Sequence, residues 1–473
     1  MVCQLDTLRK CLKINSLREA LRSLPKTLDE TYSRILCNIA EEYGKDAFKI
    51  LEWLVYSARP LDIQELAEVV AVDIDDDPRF EPENRLGDSL DILTICSSLV
   101  TTTRSTFLLD DGDINKTEEI RLAHFSVKEY LISDRIQKGG ASRYAIQNDD
   151  EEHLAQTCLT YLVHFTGPAI VTPSSVDEFP LAGYAAMYWI QHTRAAQRDI
   201  DKTTQLILRL FQSSDAYINW IRLCDFDSFQ RRFSSERSKT VPNMSSSLED
   251  VASPLYYAAL MGLVEPARQL LERGANVNAQ EGGYGNALQA ACERGQMAIV
   301  KLLLDHGADV NAESRGYIRQ GDTALQSASF WGYDAIVKLL LESGADVNAQ
   351  GGQLHTALHA ASLAGNEAVV RLLLNHGADV NAKGGIYHTA LQATAMENSD
   401  VATIRLEEEA DIIAQGGMKY LNKHEEVVRL LLEHGADINA RIRPLHTALK
   451  EASLKGKEAT VRILHEHGAD INT

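Results

Sequence analysis

The chain has 473 residues, of which 45% are hydrophobic and 24% are charged, and its formal net charge is −20 at pH 7. This length predicts roughly two to four domains, and the apolar content is sufficient for packed cores. The acidic balance argues against a general nucleic-acid binder and against adhesion to anionic membranes, because both need basic surfaces.

The cysteine pattern and the hydropathy of the sequence indicate the cellular compartment of the protein. The 7 cysteines are scattered and form no CxxC pair, which fits free thiols under reducing conditions better than a disulfide framework or a zinc site. The first ten residues have no apolar signal-peptide core, and no run reaches the ~18 apolar residues of a membrane span. We therefore expect a soluble, intracellular protein of the cytoplasm, with the nucleus as the alternative.

The N-terminal residues predict a helical connector followed by a winged helix. Residues 1–44 contain a helix, a break at Pro25 and a second helix capped by Thr27. Apolar spacing predicts three further helices in KDAFKILEWLVYSA, ELAEVVAV and SLDILTICSSLV, the last of which runs into the extended segment TTT. Two strands are then predicted in TFLLDD and EIRLAHF. Helices followed by a β-hairpin are the order of a winged helix, which we place at residues 45–136.

Capping signals and composition predict further helices and a linker toward the middle of the chain. Asp62 and Ser126 are also predicted to begin helices, and Ser126 resembles Thr27 in forming a complete capping box with a glutamate three residues later. Apolar residues at helical spacing predict a helical segment over 137–226, and the Ser-rich residues 227–252 predict a flexible linker.

The C-terminal residues repeat themselves. LLERGANVNA returns as LLLDHGADVNA, LLLESGADVNA, LLLNHGADVNA, LLLEHGADINA and ILHEHGADINT, with a degraded copy in LEEEADIIA. Threonines at 323, 356, 389 and 447 are predicted to cap first helices, and glycines at 295, 332 and 365 to adopt the left-handed turn between helices. We expect about seven helix-pair repeats over 253–473, one degenerate and one truncated, with a weak point around 390–424.

Two resemblances follow from these motifs. Residues 253–473 resemble ankyrin repeats. LPKTLDETYSRIL, ARPLDIQELAEVVAVD, IRLAHFSVKEYLIS and YAAMYWIQHTR resemble the region after the nucleotide-binding module of fungal NACHT–ankyrin proteins, which are NLR-like signalling ATPases, in a segment labelled a GPI inositol-deacylase-type winged helix. The resemblance implies a mainly α-helical chain. It also implies that the repeats bind a protein ligand and that the winged helix relays to a NACHT-type NTPase, in the same or another chain, for self/non-self or stress signalling.

No motif indicates catalysis, a cofactor or a metal. GxxxxGK[ST], HExxH and GxSxG are all missing from the sequence, so we expect neither ATPase nor hydrolase activity. The histidines near 355 and 465 stand at ankyrin-type positions, and the acidic run at 73–77 is typical of a solvated loop. Residues 45–136 contain 20 acidic and 10 basic side chains, which argues against DNA binding. A free-standing ankyrin adaptor and a DNA-binding regulator are the alternatives.

Binding residues are expected on the concave face and at the loop tips of the repeats. The candidates precede an inter-helix glycine or lie near a loop tip: Leu260, Met261, Tyr284, Tyr317, Phe330, Trp331, Leu363 and Tyr387. The adjacent aromatic pair Phe330 and Trp331 has the character of an interface hot spot. The alternative is that Phe330 packs within its own repeat. Trp331→Ala is expected to weaken partner binding by about 2 kcal/mol or more with little loss of stability.

Overall fold

The computed structural model describes residues 27–74, 79–108, 114–147, 151–167, 172, 176–195, 200–224, 251–318, 320–385, 388–395, 424–441 and 447–471. The chain divides into two compact units, Met1–Leu248 and Glu249–Thr473.

Helices and a small sheet form the winged helix of the first unit. The helices are α1 (Leu28–Cys37), α2 (Gly44–Tyr56), α3 (Ile63–Val70), α4 (Asp91–Ile95), α5 (Phe125–Leu131) and α6 (Asp134–Gln137). The strands are β1 (Leu61–Asp62), β2 (Val72–Asp73), β3 (Arg79–Phe80), β4 (Val100–Leu108) and β5 (Ile114–Leu122). An antiparallel sheet of order β1-β5-β4 pairs Leu61 with Ile120 and Val100 with Leu122, and β2 pairs with β3.

Two local predictions in this region were wrong. The third helix, predicted to continue to Val100, ends at Ile95 and is followed by a 3-10 turn at Ser97–Leu99. Strand β4 begins at Val100 rather than at Thr106 and so includes the threonines that were expected to be extended, because β-branched residues fit a strand well. The complete capping box is at Asp62, which bonds with Glu65, whereas α5 is capped by the ring of His124. The Ser126 hydroxyl instead lies 2.7 Å from the hydroxyl of Tyr32.

Four further helices follow the winged helix: α7 (Glu151–Val163), α8 (Ala182–Ala195), α9 (Ile200–Gln212) and α10 (Ser214–Leu223). Their core holds fully buried aromatic side chains, among them Trp189 and Trp220, whose rings meet edge to face. The indole nitrogen of Trp220 donates to the carbonyl oxygen of Ala186 at 3.2 Å, which satisfies its polar atom. Helix α7 also packs against β2 and β3, so the helical segment shares a core with the winged helix.

The second unit is a stack of helix pairs. The pairs are α11 (Pro254–Met261) with α12 (Val264–Glu272), α13 (Ala287–Glu293) with α14 (Met297–Asp305), α15 (Ala324–Trp331) with α16 (Asp334–Glu342), α17 (Ala357–Ala364) with α18 (Glu367–Asn375), α19 (Ala390–Ala395) with α20 (His424–Glu433), and α21 (Ala448–Leu454) with α22 (Glu458–Glu466). Each first helix packs against the next first helix, and each second helix against the next second helix.

An asparagine ladder connects successive repeats. Asn278 accepts a hydrogen bond from the backbone N–H of Asp309 at 2.8 Å and donates to the carbonyl oxygen of Gly307 at 3.1 Å. The equivalent bonds recur at Asn311, Asn348 and Asn381. The ladder identifies which repeats are neighbours, independently of how far apart they stand in the sequence.

The repeat count needs a correction. Asn381 bonds to Gly435, 54 residues later, whereas the same bond spans 29 residues from Asn278 and from Asn348. Helix α18 also packs directly against α20. The described helices therefore form six pairs rather than about seven, and an excess of 25 residues separates the two helices of the fifth pair. The repeat that was expected to be truncated has α19 as its first helix, and the 25 additional residues follow that helix.

The degraded copy LEEEADIIA and most of the expected weak point lie in residues 396–423, outside the described residues. The weak point stays a prediction. Most of the expected linker, at 225–250, is also outside them.

Candidate protein-binding surface

The inter-helix glycines explain how the repeats fit together. Gly332 ends α15 with φ of 78°, in the left-handed region, as expected for this turn. A Cβ there would lie 2.8 Å from the side-chain amide carbon of Asn366, which begins the second helix of the next repeat. The Asn366 amide donates to the carbonyl oxygens of Ser329 and Phe330 at 2.8 and 2.9 Å. One repeat therefore caps the first helix of the repeat before it.

Close stacking buries most of the predicted binding residues. Among the candidates, the side chains buried to 9% exposure or less are Leu260, Met261, Tyr284, Phe330, Trp331 and Leu363. Phe330 and Trp331 join a cluster with Leu354 and Leu363 of the following repeat. Their aromatic side chains thus support the packing of neighbouring repeats, so Phe330 packs between repeats rather than within its own repeat as the alternative supposed. Tyr387 lies outside the described residues.

Tyr317 is the predicted residue that the structure places on the surface. Its side chain is 61% exposed. It stands in the loop 313–321, which carries the extra residues of the second repeat. Arg315, also exposed, is its neighbour on this loop.

The loop 313–321 is held by hydrogen bonds to the preceding hairpin and to its own base. The Ser314 hydroxyl donates to the carbonyl oxygen of Tyr284 at 2.8 Å, and the N–H of Ile318 donates to that of Gly283 at 2.9 Å. At its base, Ser314 and Asp322 bond through their backbones at 2.9 Å. Gly316 approaches the preceding hairpin so closely that a Cβ would lie 2.2 Å from the carbonyl oxygen of Gly283. The loop is thereby a pre-organised platform for Tyr317.

Burial suppresses the ionisation of several cysteines and histidines in the two units. Burial raises the pKa of the Cys96 thiol to about 12 and raises the pKa of the Cys158 and Cys292 thiols as well, so these groups are not nucleophilic thiolates at neutral pH. Burial also lowers the pKa of His192 and of His359 to about 4. The described residues contain no group of three or more His, Cys, Asp or Glu side chains that could hold a metal ion.

Two arginines form contacts between the winged helix and the helical segment. Arg59 forms a bidentate pair with Glu65, at 2.6 and 2.8 Å, and its guanidinium lies over the rings of Tyr184 and Tyr188 on α8. One turn further along α3, Glu68 accepts from Arg85 at 2.6 Å.

The second of these contacts also reaches α7 and the 3-10 turn Val176–Glu178 that precedes α8. Glu68 is 4% exposed and accepts a further bond from the hydroxyl of Tyr161 at 2.7 Å. Arg85 in turn donates to the carbonyl oxygen of Glu178 at 3.0 Å. Sequence reasoning missed both arginines, because a lone Arg before Pro60 or after a 3-10 turn has no distinguishing local pattern.

Comparisons with known proteins agree with this architecture. Residues 33–147 match the family model described as GPI inositol-deacylase, winged helix domain. Residues 255–351 match the model for ankyrin repeats in three copies, and residues 353–385 and 419–443 match the single ankyrin repeat.

A curated relative from Monascus ruber, azaphilone pigments biosynthesis cluster protein L, is 40% identical over 308 residues, which are 61% of this chain. The chain spans 61% of the length of that relative.

Solved structures of ankyrin domains are similar to part of the chain. The human ASB11 ankyrin repeat domain is 26% identical and has a TM-score of 0.37, covering 47% of this chain and 86% of that one. An Acinetobacter baumannii ankyrin repeat domain is 26% identical with a TM-score of 0.36, covering 46% and 98%. The ankyrin repeat domain of Bcl-3, a member of the IkappaB protein family, is 27% identical with a TM-score of 0.35, covering 47% of this chain and 88% of that one.

The chain is mainly helical and carries a GPI inositol-deacylase-type winged-helix domain followed by ankyrin repeats, as the resemblance implied. Ankyrin repeats indicate protein–protein interaction, and the match to the winged-helix model shows no active site. In the part of the chain that the structure describes, none of the helices has the length and apolarity needed to cross a bilayer.

Proposed function

Because the chain carries a winged-helix domain and ankyrin repeats, we propose that it is a non-catalytic interaction protein of the cytoplasm. Its repeats bind a protein ligand. Its winged-helix region relays that event to a NACHT-type nucleotide-binding module, in the same or another chain, for self/non-self or stress signalling. The observation that carries the binding part is the pre-organised loop 313–321, which presents Tyr317 at 61% exposure.

A rigid aromatic side chain is a strong candidate for a contact residue. Tyrosine provides a large contact area with few rotatable bonds, so ordering it on binding costs little entropy. The loop already fixes the backbone on both sides of Tyr317. Ligand binding therefore needs little further ordering at this position.

The relay part is supported by the joint between the winged helix and the helical segment. The pairs Arg59–Glu65 and Arg85–Glu68 stand on successive turns of α3 and bridge to α7 and α8. The side chains of Glu65 and Glu68 are only 11% and 5% exposed, so another arrangement of the two parts would leave a buried carboxylate without its cation. A force applied to the winged helix is therefore transmitted to the helical segment.

The test is affinity purification with the full chain as bait, from cells that produce it, in parallel with two variants. Tyr317→Ala is expected to lose the ligand by about tenfold or more. Gln353→Ala, an exposed change on the next hairpin, is the matched control and is expected to retain it. Each retained protein is then purified and titrated against all three chains.

The outcomes separate the hypotheses. Recovery of a nucleotide-binding module whose hydrolysis rate changes with ligand supports the relay. A ligand without such a module favours a free-standing ankyrin adaptor. Equal ligand affinity of the wild type and Tyr317→Ala would remove Tyr317 from the binding surface.

A further inference from the structure

The strand β4 lies at an edge of the winged-helix sheet. In the order β1-β5-β4 it has β5 on one side, and β5 is the only described element that packs extensively against it. Edge strands are commonly protected from pairing by proline, by charged side chains or by a bulge. Residues 100–104, VTTTR, contain no proline, and their register with β5 is continuous. Their single charged residue, Arg104, pairs with Glu118 on β5. The free side of β4 is therefore open to pairing with another strand.

The alternation of hydrogen bonds along the ladder determines which backbone groups of β4 face away from β5. The N–H of Ala123 donates to the carbonyl oxygen of Leu99 at 2.8 Å, so these two residues form a hydrogen-bonded pair. Such pairs alternate with pairs whose N–H and C=O groups point outward, and the register places Val100, Thr102 and Arg104 in the outward-facing set. These outward groups have no hydrogen-bond partner among the residues that the structure describes. An added strand would satisfy them.

The side chains along this edge fit an extended polypeptide. Thr101 and Thr103 are exposed on one face of β4, and β-branched side chains favour cross-strand packing. Arg104, on the other face, is 84% exposed, and its Nε lies 3.1 Å from a carboxylate oxygen of Glu118. This contact uses one of the five N–H groups of the guanidinium, so the terminal nitrogens are left for a second carboxylate. A strand added to β4 would place the side chain opposite Arg104 about 5 Å from it, Cβ to Cβ.

We propose that the outer edge of β4 binds an extended segment of a partner protein by strand addition, with an acidic side chain of that segment paired with Arg104. Backbone hydrogen bonds provide affinity, and the charge pair selects the register. A second copy of this chain fits less well. Arg104 is the central residue of β4 (Val100–Leu108), so full-length antiparallel pairing of β4 with itself would oppose two like charges. The inference goes beyond the proposed function, because this surface lies outside the ankyrin repeats and does not involve Tyr317.

The test uses the full chain and a defined probe, a fluorescein-labelled octapeptide in which valine and threonine alternate around one central glutamate. Binding is followed by fluorescence anisotropy. Two further peptides carry N-methyl groups on alternate residues, in one phase or in the other. Because strand addition uses the N–H groups of one phase only, one methylated peptide should bind within about threefold of the parent and the other should lose about tenfold or more. Equal affinity of the two methylated peptides, or no binding of the parent peptide, would overturn the proposal.

Hydrogen exchange of the full chain locates the bound peptide. Exchange is expected to slow in β4 when the parent peptide binds and to stay unchanged in the ankyrin repeats. Slowing in the repeats alone would overturn the proposal while leaving the proposed function of the repeats intact. The two proposals are therefore tested separately.

Thr102→Pro tests the same edge from the side of the protein. It removes an outward N–H, and proline is tolerated in an edge strand where its nitrogen faces solvent. The variant should keep the wild-type circular dichroism and weaken binding about fivefold or more. Thr102→Ala, which retains the N–H, is the matched control and should bind within about twofold of the wild type. Equal binding by the two variants would contradict strand addition at β4. If Thr102→Pro fails to fold, the methylated peptides still decide.

Arg104→Glu tests the charge pair. It should weaken binding of the glutamate peptide about three- to tenfold, and a peptide with lysine in place of glutamate should restore it. Arg268→Glu is the matched control, because it makes the same charge change at a side chain that is 46% exposed on α12. It should leave binding within about twofold of the wild type. Equal weakening by Arg268→Glu and Arg104→Glu would assign the effect to total charge and overturn the pairing with Arg104.

Discussion

At the scale of single residues, the burial of the aromatic pair before Gly332 favours a packing role over a direct role in binding. Trp331 is 9% exposed and contacts Phe330 edge to face, with ring centroids 5.2 Å apart. Trp331→Ala should therefore lower the free energy of unfolding by about 3 kcal/mol or more through the lost burial and the cavity left behind. Urea denaturation of the full chain measures this change.

Tyr317→Ala is the natural comparison for that measurement. Because Tyr317 is exposed, its removal should change the unfolding free energy by no more than about 0.5 kcal/mol. If the two variants unfold at the same urea concentration, the packing role of Trp331 is wrong and the earlier binding role regains support.

His359 makes the stability of the stack depend on pH. Desolvation by burial, more than the nearby His355 and His388, lowers its pKa to about 4, from an unfolded value near 6.5. Its Nδ1 lies 2.8 Å from the Thr356 hydroxyl and its Nε2 3.2 Å from the carbonyl oxygen of His388, which suits a neutral ring. Between pH 6.5 and 4 the unfolded chain binds more protons, so stability is complete above pH 6.5 and falls as the pH drops toward 4.

The preceding repeat suggests a substitution that removes only the titration of His359. Gln326 occupies the same position one repeat earlier, where it completes a capping box with Thr323 and donates to the carbonyl oxygen of His355 at 2.7 Å. His359→Gln should match the wild type at pH 7 and lose less stability on going to pH 5, as measured by urea denaturation. The remaining loss is expected in part from His192, whose pKa is also lowered by burial. An unchanged pH dependence would mean that His359 titrates normally.

At the scale of secondary-structure elements, the joint between α3 and the helical segment can be tested by charge removal. Arg85→Met leaves the Glu68 carboxylate, 4% exposed, without its cation. Unpaired buried charges cost several kcal/mol, and because the Arg85 side chain is 35% exposed we expect a loss of about 2 kcal/mol. Adding Glu68→Gln removes the charge while Tyr161 can still donate to the amide oxygen, so the double variant should recover much of the loss.

Hydrogen exchange of the full chain reports whether the joint itself opens. In Arg85→Met, hydrogen exchange should rise in both α3 and α7, because Glu68 lies on α3 and accepts a hydrogen bond from Tyr161 on α7. Arg104→Met breaks an exposed pair with Glu118 and should leave exchange unchanged. A rise confined to the residues around Arg85 would show that the two parts are not mechanically joined.

The elements were predictable from the sequence where the signal is local. Helical spacing located α2 and α3, and hydroxyl caps located the first helices at Thr323, Thr356 and Thr447. The two-residue strands were missed because they are too short to show a period of two. The burial of Phe330 was left open because it depends on Leu354 and Leu363, which approach only when the repeats stack.

At the scale of the whole molecule, the asparagine ladder corrects the assignment of helices to repeats that the sequence alone suggested. His424 takes the place of Asn366, since its Nε2 lies 3.1 Å from the carbonyl oxygen of Leu363 just as Asn366 bonds to Phe330. The spacing of consecutive GAD-like motifs in the sequence predicted a separate repeat that ends in LEEEADIIA. Spatial neighbours instead assign α19 and α20 to one repeat, interrupted by 25 residues.

Removing residues 399–423 should therefore restore an unbroken repeat. Joining Asn398 to His424 gives TALQATAMENHEEVVRLLLEHGADINA, which aligns without a gap to TALHAASLAGNEAVVRLLLNHGADVNA of the preceding repeat. Asn398 then stands at the position of Gly365, where φ is 70°, and asparagine tolerates this left-handed conformation better than most residues. Shortening the connection also lowers its closure entropy, by roughly 2 kcal/mol for a tenfold reduction in length.

The deletion variant is expected to unfold cooperatively at the same or a higher urea concentration than the full chain, with unchanged helical circular dichroism per repeat. A deletion of equal length over residues 390–414 is the control. It removes α19, so α20 loses its partner helix, and it should destabilise the stack. If deletion of 399–423 destabilises the chain as much as the control does, residues 399–423 form part of the stacked core and the six-repeat register is wrong.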